Sequence, residues 1–121
     1  MKPFPFLLCL MNFLGCQAVD FRSVDADRFA QVIEDTTVVR LDVRTASEYS
    51  QGHIPGALLI DVTQADFMQK AEQLLPKDKT IALYCRSGRR SKTAAQLLAK
   101  QGYQVIELNT GFNSWKGKVE Q

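Results

Sequence analysis

Histidine and paired cysteines are scarce in this chain of 121 residues. It contains one histidine, His53, and three cysteines, Cys9, Cys16 and Cys85, which form no C-x-x-C pair. A protein zinc site takes several cysteine or histidine ligands at short spacing, and a disulfide scaffold needs a regular framework of cysteines. The sequence therefore predicts neither a metal centre nor a disulfide-dependent fold, and we expect no cofactor.

A strong excess of one charge is also absent. The chain has 15 Lys and Arg against 13 Asp and Glu, a net charge of +2, with 45% hydrophobic and 23% charged residues. Nucleic-acid-binding domains usually carry a much larger basic excess, and disordered chains are poorer in apolar residues. This balance is typical of one globular domain, which we expect to be a monomer. The basic residues cluster only once, at Arg86, Arg89, Arg90 and Lys92.

The one long apolar run lies at the N-terminus and is too short to span a bilayer as a helix. Residues 1–16 have a basic start and an apolar stretch, as a signal peptide does. The end of this run, Phe13 to Cys16, resembles a bacterial lipoprotein box with Cys16 as the lipidated residue. Simple signal-peptidase cleavage and a buried N-terminal helix remain alternatives. We expect an exported protein, periplasmic or anchored to the membrane facing the periplasm of a bacterium.

After Val19, strand and helix patterns alternate at short spacing, which predicts an α/β domain with a mainly parallel sheet and helices on both faces. Asp25 is a candidate N-cap for the first helix. We predict strands at 37–43, 57–62, 79–84 and 103–108, with helices at 47–49, 66–75, 91–101 and 112–118. The helix at 91–101 has the clearest pattern, with Ala94, Ala95, Leu97 and Leu98 facing the core.

Cys85 follows a predicted central strand and precedes this helix. Ligands of open α/β sheets bind at the carboxyl ends of strands, and helix N-termini favour anions. Such a setting, with arginines nearby, lowers the pKa of a cysteine from about 8.5 to roughly 3.5–7.5. Cys85 is therefore a candidate nucleophile, and Gly88 allows the loop to adopt positive φ angles.

The competing interpretation is a buried, inert cysteine that ends a strand. The basic residues after Cys85 argue against it, because positive charge is unfavourable at a helix N-terminus. Their position indicates that something negative normally neutralises them.

Three segments resemble motifs of the rhodanese family. The loop from Cys85 through Arg86, Ser87, Gly88, Arg89 and Arg90 to Ser91 is similar to that family's active loop. Residues 41–44, with 48–49 and 52–57, resemble its upstream motif, and Gly111, Phe112 and Trp115 its terminal motif, although Thr110 stands where a second glycine is common. The resemblance covers residues 19–119. It implies a catalytic cysteine that takes sulfane sulfur from a donor such as thiosulfate, holds it as a persulfide and passes it to cyanide or a thiol.

The resemblance also suggests roles for individual residues. We expect the amides of residues 86–91 to face the persulfide, Arg90 to orient thiosulfate, and Arg86 to lie at the rim. Asp42 and Arg44 are possible rim residues, although a structural ion pair between Arg44 and Glu48 is the favoured interpretation. We expect His53 to fix a turn rather than act as a base, and Trp115 to pack in the core.

Two other functions remain open. Phosphatases and arsenate reductases of related folds place an arginine six positions after the cysteine, whereas that position here is Ser91 and the arginine comes one residue earlier. This shorter loop suits a sulfur atom better than a phosphate. A non-catalytic docking module, or a partner that carries sulfur or reducing equivalents, is the second alternative.

Overall fold

A parallel five-stranded sheet forms the centre of the molecule. The computed structural model describes residues 20–121. Its strands are β1 (Arg22–Val24), β2 (Val39–Asp42), β3 (Leu58–Leu59), β4 (Thr80–Tyr84) and β5 (Gln104–Leu108). They lie in the order β1-β5-β4-β2-β3, and each neighbouring pair is parallel. The parallel sheet predicted from the sequence is confirmed.

The helices cover both faces of this sheet, also as predicted. They are α1 (Ala26–Val32), α2 (Ala46–Gln51), α3 (Phe67–Leu74) and α4 (Arg89–Lys100), followed by a 3₁₀ turn at Phe112–Ser114. On one face, Phe67 and Ala71 of α3 and Leu98 of α4 pack with inward side chains of β2 and β4. On the other face, Phe29 of α1 packs against Tyr84.

The central strand β4 is buried on both sides. From Ile81 to Tyr84, every residue is fully enclosed. Strands covered on both faces are nearly continuous in apolar residues, which is why this segment is recognisable in the sequence. The strand ends directly before Cys85, which places that residue at the carboxyl edge of the sheet beside α4.

Capping residues fix the N-terminal ends of α1 and α2. Asp25 caps α1 by accepting a hydrogen bond from the Arg28 amide at 2.8 Å, as predicted. In α2, Thr45 and Glu48 form a capping box, in which each side chain accepts a hydrogen bond from the other residue's backbone N–H. Thr45 thus fixes the position of Glu48 at the start of α2.

Four details differ from the sequence prediction. Strand β1 was not predicted, because it has only three residues and two of them are exposed. The predicted helix at 112–118 is a single 3₁₀ turn, and the strand predicted at 57–62 is shortened to Leu58–Leu59. Leu97 is 38% exposed rather than buried.

Between residues 20 and 121, no helix is long and apolar enough to cross a membrane.

Candidate active site

The Cys85 thiol lies at the bottom of the loop between β4 and α4. Only 1% of the residue is exposed, and it is the free cysteine among residues 20–121. The Gly88 amide donates a hydrogen bond to Sγ at 3.1 Å. The amides of Ser87 and Ser91 and the Ser91 hydroxyl also reach the sulfur. Of the six amides of residues 86–91 that are expected to face a persulfide, those of Ser87, Gly88 and Ser91 thus contact the Cys85 sulfur.

These donors act against the effect of burial. Burial raises the pKa of the Cys85 thiol, but hydrogen bonds from the Ser91 hydroxyl and from the amides of Ser91, Gly88 and Ser87 outweigh it, and the pKa lies below its ordinary value. Hydrogen bonds to the charged form of a group favour that form. Because thiolate is the nucleophilic form of cysteine, this loop favours a reactive Cys85.

Two glycines allow the loop to approach the turn after β5. Gly88 has φ of 109°, and a Cβ atom there would lie 2.0 Å from the Asn109 carbonyl oxygen. Gly111 has φ of 69°, and its Cβ would lie 2.3 Å from the Arg86 carbonyl oxygen. The Phe112 amide donates to the Cys85 carbonyl at 2.8 Å. Only glycine fits either position, so both are required by the shape of the loop.

Two of the four basic side chains are neutralised within the protein. Arg90 forms an ion pair with Glu48 at 2.8 Å, and Lys92 one with Glu107 at 3.1 Å. Arg86 and Arg89 are exposed and form no ion pair among the described residues. The position of this basic cluster predicts a negative partner, and the protein itself supplies one for Arg90 and one for Lys92. A dissolved anion therefore meets mainly Arg86 and Arg89.

The predicted ion pair between Arg44 and Glu48 is wrong. Arg44 instead pairs with Asp42, with Nη2 at 2.6 Å from Oδ2 and Nε at 2.9 Å from Oδ1. Asp42 is fully buried and Arg44 is 4% exposed. Side chains on a short helix commonly pair four residues apart, but Glu48 is already held by Thr45 and Arg90.

The buried pair is packed among aromatic rings. The Arg44 guanidinium lies 4.4 Å from the centre of the Phe112 ring. Burial lowers the pKa of Arg44, but its hydrogen bond to Asp42 and the charge of Asp42 leave it above the ordinary value. Burial also raises the pKa of Tyr84, and the nearby charge of Asp42 raises it further. Asp42 thus holds the Arg44 side chain in place through this ion pair. Asp42 itself is not among the residues that line the neighbouring cleft.

A cleft of about 240 Å³ lies beside the loop. Arg44 and Arg86, the predicted rim residues other than Asp42, both line it. The remaining lining residues are Glu48, Gln51, Gly52, Phe112 and Asn113. This cleft combines cationic, polar and aromatic groups, so it suits a small polar molecule or the end of a protein side chain.

His53 and Trp115 have structural contacts. The His53 ring stacks on Tyr49 with centroids 3.6 Å apart, and its Nδ1 lies 2.9 Å from the Tyr49 carbonyl oxygen. Its backbone pairs with Glu120 near the C-terminus. Trp115 packs edge-on against Phe29, at the margin of the core. Both contacts agree with the roles expected for these residues, whereas Cys16 lies outside the described residues.

Glu107 and its hydrogen-bond partners were not predicted from the sequence. Glu107 is fully buried in β5 and accepts hydrogen bonds from Ser91 and Ser23, both at 2.5 Å. The available signal was a single carboxylate in the otherwise apolar run from Val105 to Leu108. A buried charge requires partners, and such a residue next to the active loop is a candidate for a functional contact.

The family of this chain follows from sequence comparison. Residues 25–118 match the rhodanese-like domain. The chain belongs to the rhodanese-like domain family. This assignment agrees with the buried cysteine and its ring of amides at the carboxyl edge of the sheet.

Several curated relatives have names that refer to sulfur. A sulfurtransferase of Allochromatium vinosum is 36% identical over 94 residues, which cover 76% of this chain and 85% of the relative. A putative sulfur carrier protein of Bacillus subtilis, YrkF, is 36% identical over 80% of this chain, and the chain spans about half of that relative's length, 52%. The thiosulfate sulfurtransferase GlpE of Shewanella oneidensis is 31% identical, over 78% of this chain and 92% of the relative.

Solved structures show the same fold. The crystal structure of a rhodanese-related protein from Thermoplasma volcanium superposes with a TM-score of 0.72 at 26% identity. The match covers 83% of this chain and 98% of that chain. The rhodanese-like α/β fold is therefore established for this chain.

Proposed function

We propose that this protein is a sulfurtransferase that carries sulfane sulfur as a persulfide on Cys85. The Cys85 thiolate attacks the outer sulfur of thiosulfate, the S–S bond of thiosulfate breaks, and sulfite leaves with the bonding electron pair. Cyanide or a thiolate then attacks the outer sulfur of the persulfide. The product is thiocyanate or a new persulfide, and the Cys85 thiolate is restored without any external oxidant or reductant.

The convergence of the loop amides on the Cys85 sulfur is the observation that carries this proposal. The Gly88 amide already lies 3.1 Å from Sγ, and the Ser87 and Ser91 amides point to the same place. A persulfide adds one terminal sulfur with a negative charge. Preorganised amides stabilise charge that develops at such a position, as an oxyanion hole does.

The charge distribution favours an anionic donor. Thiosulfate is a dianion, and the exposed Arg86 and Arg89 are placed to attract it. Arg86 lines the cleft beside the loop, where its guanidinium can bind two oxygens of a sulfonate group at once. The same cleft gives an acceptor thiol an approach to the loop from the side of Phe112.

Intact-mass measurement after treatment with thiosulfate tests the persulfide directly. We expect the protein to gain one sulfur atom, and we expect cyanide to remove it as thiocyanate. Cys85→Ser should gain nothing, whereas His53→Ala should gain the same sulfur as the natural chain. Failure of the natural chain to gain sulfur, or a gain retained in Cys85→Ser, would contradict the proposal.

The phosphatase alternative has a distinct readout. The loop has Ser91 where a phosphate-binding arginine would stand, and Arg90 turns away to Glu48. We expect no hydrolysis of aryl phosphates and no reduction of arsenate. Turnover of either substrate without sulfur transfer from thiosulfate would favour that alternative.

A sulfur-carrier role is the second candidate. The relationship to a putative sulfur carrier protein supports it, as does the absence of a second thiol among residues 20–121. Without a resolving cysteine in that part of the chain, the persulfide is discharged by an outside acceptor. A carrier would form the persulfide stoichiometrically but release thiocyanate slowly, and would pass sulfur faster to a protein thiol than to cyanide.

The proposal includes export of the chain and lipidation of Cys16. The support is the N-terminal pattern of residues 1–16. Expression of the full chain in a bacterium with a labelled fatty acid should label the natural protein but not Cys16→Ser. An unlabelled, shortened protein in the periplasm would indicate simple cleavage, and an uncleaved protein in the cytoplasm would contradict export.

A further inference from the structure

A fully buried carboxylate is linked to the active-site cysteine through one serine hydroxyl. Glu107 of β5 has no exposed surface. Its Oε1 accepts a hydrogen bond from the Ser23 hydroxyl at 2.5 Å, and its Oε2 accepts one from the Ser91 hydroxyl at 2.5 Å. The Lys92 ammonium donates to the same Oε2 at 3.1 Å. The sulfur-transfer steps described above make no use of Glu107.

The Ser91 hydroxyl has one proton and two acceptors. It reaches Cys85 Sγ as well as the Glu107 carboxylate. A serine hydroxyl donates only one hydrogen bond at a time, and its lone pairs accept others. When Cys85 is a thiol, it can donate to Ser91 while Ser91 donates to Glu107. When Cys85 is a thiolate, the two anions compete for the same proton.

We propose that Glu107 is a positioning residue that draws the Ser91 hydroxyl proton away from Cys85 and thereby keeps the Cys85 thiolate basic and nucleophilic. The inference rests on the proposed use of Cys85 as the nucleophile. The short Ser91–Glu107 distance supports it, because hydrogen bonds to a charged acceptor are shorter and stronger than those between neutral groups.

Groups from α4, α2 and β1 surround Cys85, Ser91 and Glu107. From α4, Lys92 contacts Glu107 and also donates to the carbonyl oxygens of Gly88 and Asn109. Arg90 contributes positive charge near Cys85, but Glu48 of α2 pairs with it. From β1, the contact to Glu107 is the uncharged Ser23 hydroxyl. Lys92 therefore places a positive charge 3.1 Å from Oε2 of the Glu107 carboxylate.

A carboxylate that opposes the effect of the loop amides on the Cys85 pKa has a chemical advantage. The loop amides lower the pKa of Cys85, and a thiolate loses intrinsic nucleophilicity as its pKa falls. The reactivity of an attacking thiol is highest when its pKa lies near the ambient pH. A carboxylate that opposes the amides keeps the sulfur reactive in the same loop that must stabilise the persulfide.

The test is the pH dependence of Cys85 alkylation by iodoacetamide. We expect Glu107→Gln to lower the thiol pKa by about one unit, since it removes a nearby negative charge and frees the Ser91 proton for the sulfur. With a small aromatic disulfide at a pH where the thiol is fully ionised, the limiting rate constant should then fall about threefold. An unchanged or raised pKa in Glu107→Gln would overturn the proposal.

Two further variants separate this role from a general effect on the fold. Ser23→Ala removes the other short hydrogen bond to Glu107 without touching Ser91, and should leave the thiol pKa unchanged. In a Ser91→Ala background, Glu107→Gln should shift the pKa by less than half as much. An undiminished shift there would show that Glu107 acts only through space, which contradicts positioning through Ser91.

A measurement on the natural chain covers the case in which Glu107→Gln fails to fold. The ¹³C resonance of the Glu107 carboxyl group should show an inflection at the pH at which Cys85 ionises, and Cys85→Ser should abolish it. Absence of that inflection would overturn the proposal. These measurements follow thiol ionisation rather than sulfur transfer, so a protein with the predicted shifts but no transfer from thiosulfate would contradict only the proposed function.

Discussion

Arg90 and Glu48 face each other through two parallel hydrogen bonds, from Nη1 to Oε1 at 2.8 Å and from Nη2 to Oε2 at 2.9 Å. The pair joins the first turn of α4 to the capping box of α2. It holds the active loop against the wall of the cleft, since Glu48 also lines that cleft. The guanidinium expected to orient thiosulfate is thus already engaged by a carboxylate of the same chain.

Because Arg90 and Glu48 depend on each other, we expect substitution of either residue to cause a similar loss of activity. Arg90→Lys keeps the charge but loses the two-point contact, and Glu48→Gln keeps the shape but loses the charge. We expect both to lower kcat/KM for thiosulfate by about three- to tenfold through displacement of the loop, with comparable changes in KM. A rise in KM that is much larger in Arg90→Lys than in Glu48→Gln would instead indicate direct binding of thiosulfate by Arg90.

The same pair predicts a dependence of stability on acid. The hydrogen bond from Arg90 lowers the pKa of Glu48 to about 2, below that of a free glutamate at about 4.3. A depressed pKa adds stability that is fully present above the unfolded-state pKa and is lost as the pH falls towards 2. We expect Glu48→Gln to lower the free energy of unfolding by about 1–2 kcal/mol at pH 7. In urea unfolding, this difference should shrink between about pH 4 and pH 2, and a constant difference would contradict the assignment.

Glycine substitutions in two places test the geometry of the loop. Gly88→Ala requires a Cβ at φ of 109°, 2.0 Å from the Asn109 carbonyl oxygen. Gly102 has a similar φ of 95°, but no atom lies within 4 Å of its Cβ position. We expect Gly102→Ala to cost about 1 kcal/mol of stability and little activity.

Gly88→Ala should abolish sulfur loading because it displaces the amide that contacts Cys85. Thermal unfolding and sulfur loading, measured on both variants, separate backbone strain from the steric clash. Equal losses of loading in the two variants would mean that close approach of the loop to Asn109 is not required.

The pattern of the sequence identifies the fold and the nucleophile because both depend on local signals. β4 is a continuous apolar run, α4 has a clear apolar face, and Cys85 joins them. These features specify a parallel α/β sheet and a loop at its carboxyl edge without knowledge of distant contacts. The predicted position of Cys85 follows from that order alone.

The partners of the charged residues could not be predicted in the same way. Glu48 and Arg90 are 42 positions apart, and Ser91 and Glu107 are 16 apart, so neither pair follows from helix or strand periodicity. The local rule for pairs four residues apart favoured Arg44 with Glu48, but tertiary contacts overrode it. Strand β1 was missed because three residues at the edge of a sheet carry too little pattern.

Arg86, the exposed arginine that lines the cleft, is expected to contribute to the binding of thiosulfate. Loss of one charge near a dianion costs about 1 kcal/mol in a water-like environment, which corresponds to about a fivefold change in affinity. We expect Arg86→Ala to raise KM for thiosulfate by about that factor with little change in kcat. Lys100→Ala, at the opposite end of α4, should have no effect. The difference in KM between Arg86→Ala and Lys100→Ala should become smaller at 1 M salt. A difference that persists at this salt concentration would indicate an effect of shape rather than of charge.

The buried pair of Asp42 and Arg44 predicts a large loss of stability when one partner is removed. Asp42→Ala leaves a cation that is 4% exposed, and an arginine side chain stays protonated in proteins even after its partner is removed. An uncompensated buried charge costs about 3–5 kcal/mol, whereas an exposed pair contributes about 0–1 kcal/mol.

The matched control is Asp66→Ala, which removes the partner of exposed Lys70 at 3.5 Å. Urea unfolding should therefore show a large loss for Asp42→Ala and almost none for Asp66→Ala. Replacing both members of the buried pair, as Asp42→Leu with Arg44→Met, should restore stability relative to Asp42→Ala, because no buried charge then remains. If the double variant is no more stable than Asp42→Ala, the cost comes from lost hydrogen bonds and packing rather than from the unpaired charge.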